Sequence, residues 1–186
     1  MAKYLAESGL FSELRLVSRD VLKESALAIK AECEAKGAKV ILVSANLDDD
    51  ASIDQALAGA THSFLVTNWW ELFFANGAVP GAAGFVAGKK AQELEEAQGK
   101  RWVDLCKKHA LEFVVYSGLC DAEKHSGGQC EHIYHFQGKA KVGRRNHYHD
   151  IWHSNITSFF TSDVLIILPV PLLTRAHTTP KTYTHH

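Results

Sequence analysis

The chain has 186 residues, enough for one domain with a substantial core and too few for two comfortable ones. Its 20 basic and 21 acidic side chains nearly cancel, so no global basic field argues for nucleic acid or acidic lipid as the main partner. The cysteines at 33, 106, 120 and 130 form no CxxC pair, and the opening Met1, Ala2, Lys3, Tyr4 is not that of a signal peptide. A reduced, cytoplasmic protein is expected, with the nucleus as the alternative.

In chain order, residues 2–8 read as the end of a helix stopped by Gly9, and 14–18 (LRLVS) as a short strand. Asp20 is placed to cap a helix whose apolar stripe is Leu22, Ala26, Ile29 and Cys33, ended by Gly37. Residues 39–44 (KVILVS) form a continuous apolar strand, as expected where both faces of a sheet are covered. Asp48, Asp49 and Asp50 precede a short helix at about 52–57. A third strand follows at 63–67, a long helix at about 90–109 and a fourth strand at 112–117. Strands separated by helices of this length predict an α/β fold with a doubly wound parallel sheet.

Ligands of such sheets bind beyond the carboxyl ends of the strands. That singles out Arg19, Asn46, Thr67, Asn68 and Ser117, each just past a strand. Two stretches break the rhythm. Residues 73–88, rich in Gly and Ala, read as a flexible insertion with no phosphate-loop signature, and from about Gly143 no amphipathic period remains. The apolar run 164–173 holds Pro169 and Pro171 and is too short to cross a bilayer. Cys120, Cys130, His132 and His135 lie close in sequence, as do His147, His149 and His153, without the paired spacings of a structural zinc site.

The segment 64–71 (FLVTNWWE) resembles a strand and turn of the NmrA-like family, a branch of the atypical short-chain dehydrogenases. Further segments match in order: 16–19 (LVSR), 47–49 (LDD), 98–100 (QGK), 114–119 (VVYSGL) and 135–139 (HFQGK). The resemblance covers roughly residues 2–142. It implies a Rossmann-like NAD(P)-binding domain over 1–142, with 73–88 inserted and 143–186 a divergent, poorly ordered tail.

By position, the resemblance implies a cofactor site of Arg19, Asn46, Leu47, Thr67, Asn68, Trp69 and Lys139. Arg19 would fork onto a 2′-phosphate, favouring NADP. Asn46 would lie by the adenine, with Leu47 next to it in the acidic turn; Thr67, Asn68 and Trp69 would line the centre, and Lys139 would reach the nicotinamide ribose. Where ordinary short-chain dehydrogenases carry YxxxK, this chain has His135 and Lys139, which favours binding over catalysis.

The family's first strand and glycine-rich turn have no counterpart here, because residues 1–9 already resemble the helix that follows them. Weakened cofactor binding is therefore expected, since that turn holds the pyrophosphate. Two unpaired inner strand edges are also expected, between the strands at 14–18 and 63–67. The departures suggest a gene model with a late start, a retained intron at 73–88 and read-through after about Val142. The resemblance implies a redox-sensing regulator that engages a protein partner such as a transcription factor. The alternatives are an NADPH-dependent oxidoreductase of the isoflavone-reductase-like type, in secondary metabolism, and an inactive fragment.

Overall fold

The computed structural model describes residues 1–77 and 81–145, together with the backbone of 165–168. The elements are α1 (Ala2–Ser8), β1 (Leu14–Ser18), α2 (Glu24–Glu34), β2 (Val40–Ser44), α3 (Asp50–Leu57) and β3 (His62–Leu65). They continue with α4 (Trp69–Ala75), α5 (Ala82–Lys108), β4 (Phe113–Tyr116), α6 (Ala122–His125), α7 (Tyr134–Arg145) and β5 (Leu165–Leu168).

The fold is α/β and Rossmann-like, with helices on both faces of a five-stranded sheet of order β2-β1-β5-β3-β4. β1 pairs parallel with β2, and β3 with β4. Alternate side chains of β1 feed two cores. Leu14 and Leu16 pack with Ala2, Ala6, Cys33 and Val40 beneath α1 and α2. Val17 packs with Ile53, Leu57, Leu65, Trp102 and Tyr116 beneath α3 and α5, with Val142 contributed by α7.

The inner edges of β1 and β3, expected to be bare, are paired. β5 lies antiparallel between them, with Leu16 opposite Ile166 on one side and Phe64 opposite Ile166 on the other. Two apolar strands with free backbone groups require a partner, and an antiparallel strand satisfies them without a crossover helix.

Three local expectations are corrected. Asp20 does not cap α2: its carboxylate accepts from the Leu22 amide at 2.9 Å, closing a turn, and the helix opens at Glu24. Leu22 is accordingly exposed, while Ala26 and Cys33 keep the buried stripe. Of the stretch 73–88, residues 73–75 complete α4 and 82–88 are the first turns of α5, so most of it is helix rather than loop. The expectation of a poorly ordered tail falls largely outside the described residues. Within them, 143–145 complete α7 and 165–168 form β5.

Candidate functional site: a cleft at the strand ends

The carboxyl ends of β1, β2 and β3 open on one edge of the sheet. Between them lies a cleft of about 110 Å³ lined by Ser18, Arg19, Asn46, Leu47, Asp48, Asn68 and Glu71, among others, with Gln98 and Trp102 of α5 also in its walls. Four of the seven residues singled out for the cofactor, Arg19, Asn46, Leu47 and Asn68, therefore meet here.

The walls are held by side-chain-to-backbone hydrogen bonds. Asn46 turns its carboxamide oxygen onto the Asp48 amide at 3.1 Å, and its own amide donates to Ser52 Oγ at 3.0 Å. Asp49 caps α3 by accepting from the Ala51 amide. Arg101 of α5 donates to the Leu47 carbonyl at 2.6 Å, and Gln98 donates to Asp48 Oδ2 at 3.0 Å. The 46–48 turn is thus clamped to α5. Opposite, Asn68 caps α4 by accepting from the Glu71 amide at 3.4 Å. Arg19 reaches from the end of β1 to form an ion pair with Glu71 across the cleft.

Thr67, Trp69 and Lys139 do not line this cleft. They belong to a buried cluster behind the 66–68 turn. Lys139 of α7 donates to the Thr67 carbonyl at 2.7 Å, to Thr67 Oγ1 at 2.9 Å and to Glu95 Oε1 at 2.7 Å. All three ammonium hydrogens are spent on protein, contrary to the expectation that Lys139 extends to a ribose. Glu95 is fully buried, and the Lys139 side chain is 13% exposed. Thr67 Oγ1 donates to Glu95 Oε1 at 2.7 Å and lies 3.1 Å from Tyr116 Oη. With the threonine hydrogen committed to Glu95, Tyr116 must be the donor in that contact. Burial, aided by the Glu95 charge, pushes the Tyr116 phenol far up its titration range, so it keeps the hydrogen it donates.

Trp69 is buried, stacked on Phe73 at 4.6 Å between ring centres and 5.5 Å from His135. Burial holds the His135 imidazole below its ordinary value of 6.5; Glu95 opposes that shift and Lys139 reinforces it. Trp69 Nε1 and Glu95 Oε2 are buried without a hydrogen-bond partner among the described residues. Gly138 matters here, because a Cβ at that position would stand 2.8 Å from Glu95 Oε2. Ser117 follows β4 and donates its amide to the Leu65 carbonyl at 2.9 Å, away from the cleft lining. Among the described residues no three His, Cys, Asp or Glu side chains converge as a metal site; His147, His149 and His153 lie outside them.

Glu71, Glu95 and Tyr116 were not singled out by sequence. Glu95 sits in the run 92–96 (QELEE), where nothing distinguishes a buried carboxylate from its solvated neighbours. Tyr116 reads as an apolar strand residue. Glu71 carried the one available signal, as an acid in the first turn of a helix after a strand.

A solved structure similar to this chain is the triphenylmethane reductase of Citrobacter sp. complexed with NADP(H), at 12% identity and a TM-score of 0.40. The match takes in 76% of this chain and 41% of the reductase, so the chain spans well under half of that protein's length. Among the described residues no helix is long and apolar enough to cross a membrane. The family model described as NmrA-like matches residues 12–168, from the approach to β1 to the end of β5, and the chain belongs to the NmrA-like family.

Proposed function

We propose that this protein binds the adenosine end of NAD(P) in the strand-end cleft and acts as a redox-sensing regulator through protein contacts, with a transcription factor as one such partner. The observation that carries the reading is the convergence of Arg19, Asn46, Leu47 and Asn68 from three strand ends on one cleft. Strand-end crevices of open α/β sheets are where ligands bind, and these residues offer a guanidinium, carboxamides and an apolar wall.

The fit to a dinucleotide is partial. The cleft volume of about 110 Å³ is below the roughly 300 Å³ at which whole small-molecule pockets begin, so it encloses only part of a dinucleotide, the rest lying across its open mouth. When bound, the nicotinamide would supply hydride chemistry. This chain's residues would bind and orient: Arg19 facing the ribose and, in NADP, its 2′-phosphate; Asn46 and Leu47 facing the adenine; Asn68 facing the sugar–phosphate link.

Sensing is favoured over turnover by the buried cluster. Lys139, which the family resemblance places at the nicotinamide ribose, is committed to Thr67 and Glu95. The oxidoreductase reading keeps one supporting observation: the half-buried His135 stands one helical turn before Lys139, with its imidazole biased to the neutral form.

The test is a fluorescence titration of the full chain with NADPH, beside Arg19→Ala, followed by NADPH consumption with a panel of carbonyl compounds. Saturable binding, weakened about tenfold by R19A, with no carbonyl-dependent consumption supports the regulator. Consumption would favour the oxidoreductase. No binding by a folded chain would overturn the cofactor reading.

A further inference from the structure

The cleft is not a neutral receptor for a phosphate. Three charged side chains line it: Arg19, Asp48 and Glu71. Asp48 is held on the α5 side, accepting from Gln98 at 3.0 Å and standing 3.6 Å from Arg101. Glu71 instead faces across the opening and pairs with Arg19. It lies in the first turn of α4, where Asn68 caps its backbone amide. The one guanidinium in the cleft lining therefore already has a carboxylate from the opposite wall.

We propose that Glu71 sets the phosphate preference of the cleft: by pairing with Arg19 it competes with the 2′-phosphate of the dinucleotide and reduces the discrimination of NADPH over NADH that Arg19 alone would give. This rests on the reading that the cleft takes a dinucleotide. A 2′-phosphate must displace Glu71 from Arg19 and then lie beside that carboxylate, whereas a 2′-hydroxyl can leave the pair intact and hydrogen-bond to it. Both partners are about half exposed, at 51% and 40% of their side-chain surface. The competition is therefore screened by solvent and its effect is modest.

The experiment is a titration of the full chain with NADPH and with NADH at low ionic strength, comparing wild type with Glu71→Gln, Glu71→Ser and Glu71→Asp. Folding of each variant is checked by circular dichroism. Removal of the charge in E71Q and E71S raises the ratio of NADPH to NADH affinity about three- to fivefold, while E71D keeps the wild-type ratio. At about 0.5 M salt the difference between wild type and E71Q shrinks. If NADPH and NADH bind but their ratio is the same in wild type, E71Q and E71S, this inference is overturned and the dinucleotide reading stands. If neither binds to any folded variant, the dinucleotide reading falls and this inference falls with it.

Discussion

At the residue scale, the strongest local arrangement is the Lys139–Glu95 pair with Thr67 and Tyr116. A fully buried carboxylate is costly unless paired and hydrogen-bonded. Here one oxygen of Glu95 takes both Lys139 and Thr67, and the other has no partner among the described residues. Lys139→Met strands the Glu95 charge and should lower unfolding free energy by about 3–5 kcal/mol. The double variant Lys139→Met, Glu95→Gln should recover much of that, and urea unfolding of both checks it.

The half-buried histidines give a pH dependence. Burial lowers His62 and His135 below 6.5 in the fold, so the unfolded chain takes up protons first as pH falls. Their contribution is fully present above about 6.5 and is lost as pH drops from there toward the lowered folded values. The melting temperature should fall over that window, and less steeply in His62→Gln and His135→Gln. An equal slope in the variants would contradict this assignment. Sequence position alone located Arg19, Asn46 and Asn68 at strand ends, because strand periodicity dictates where those ends lie. It could not place Thr67 or Lys139 correctly, since the direction of each side chain is set by Glu95, which lies 28 and 44 residues away along the chain.

At the element scale, α5 and α7 are the pair that carries the buried cluster, and glycines let them approach. A Cβ at Gly99 would stand 2.5 Å from a Val142 methyl, closer than any real contact. Gly99→Ala should therefore overpack this contact and cost about 1–3 kcal/mol. A thermal shift assay checks it, and full stability in G99A would contradict the close approach. The four parallel strands were legible because continuous apolar runs such as 40–44 announce strands, although β2 stands at the sheet edge with Ile41 exposed rather than covered on both faces as expected. The first turns of α5 were not, because residues 73–88 are dominated by Gly and Ala, whose composition reads as a loop. The resemblance of 98–100 to its family's helix was legible, but the close approach of Val142 to Gly99 was not.

At the scale of the whole molecule, the sheet is completed by β5, a strand without a local sequence signal. Residues 165–168 lie in an apolar run with two prolines close behind them and no helix pattern leading in, so local signals argued against a central strand. The deciding interaction is non-local: β1 and β3 present facing edges, and β5 pairs with both. With β5 in place, β1 and β3 are held in one sheet, their carboxyl ends on the same edge as that of β2, with the cleft between them. The central claim is that this cleft is where a dinucleotide binds. Amide hydrogen exchange across the full chain, with and without saturating NADP⁺, tests it most directly. The account predicts slowed exchange concentrated at residues 17–19, 46–48 and 66–68, around the cleft, and little change in α1 and α2. Binding accompanied by protection elsewhere, with those three turns unchanged, would contradict it.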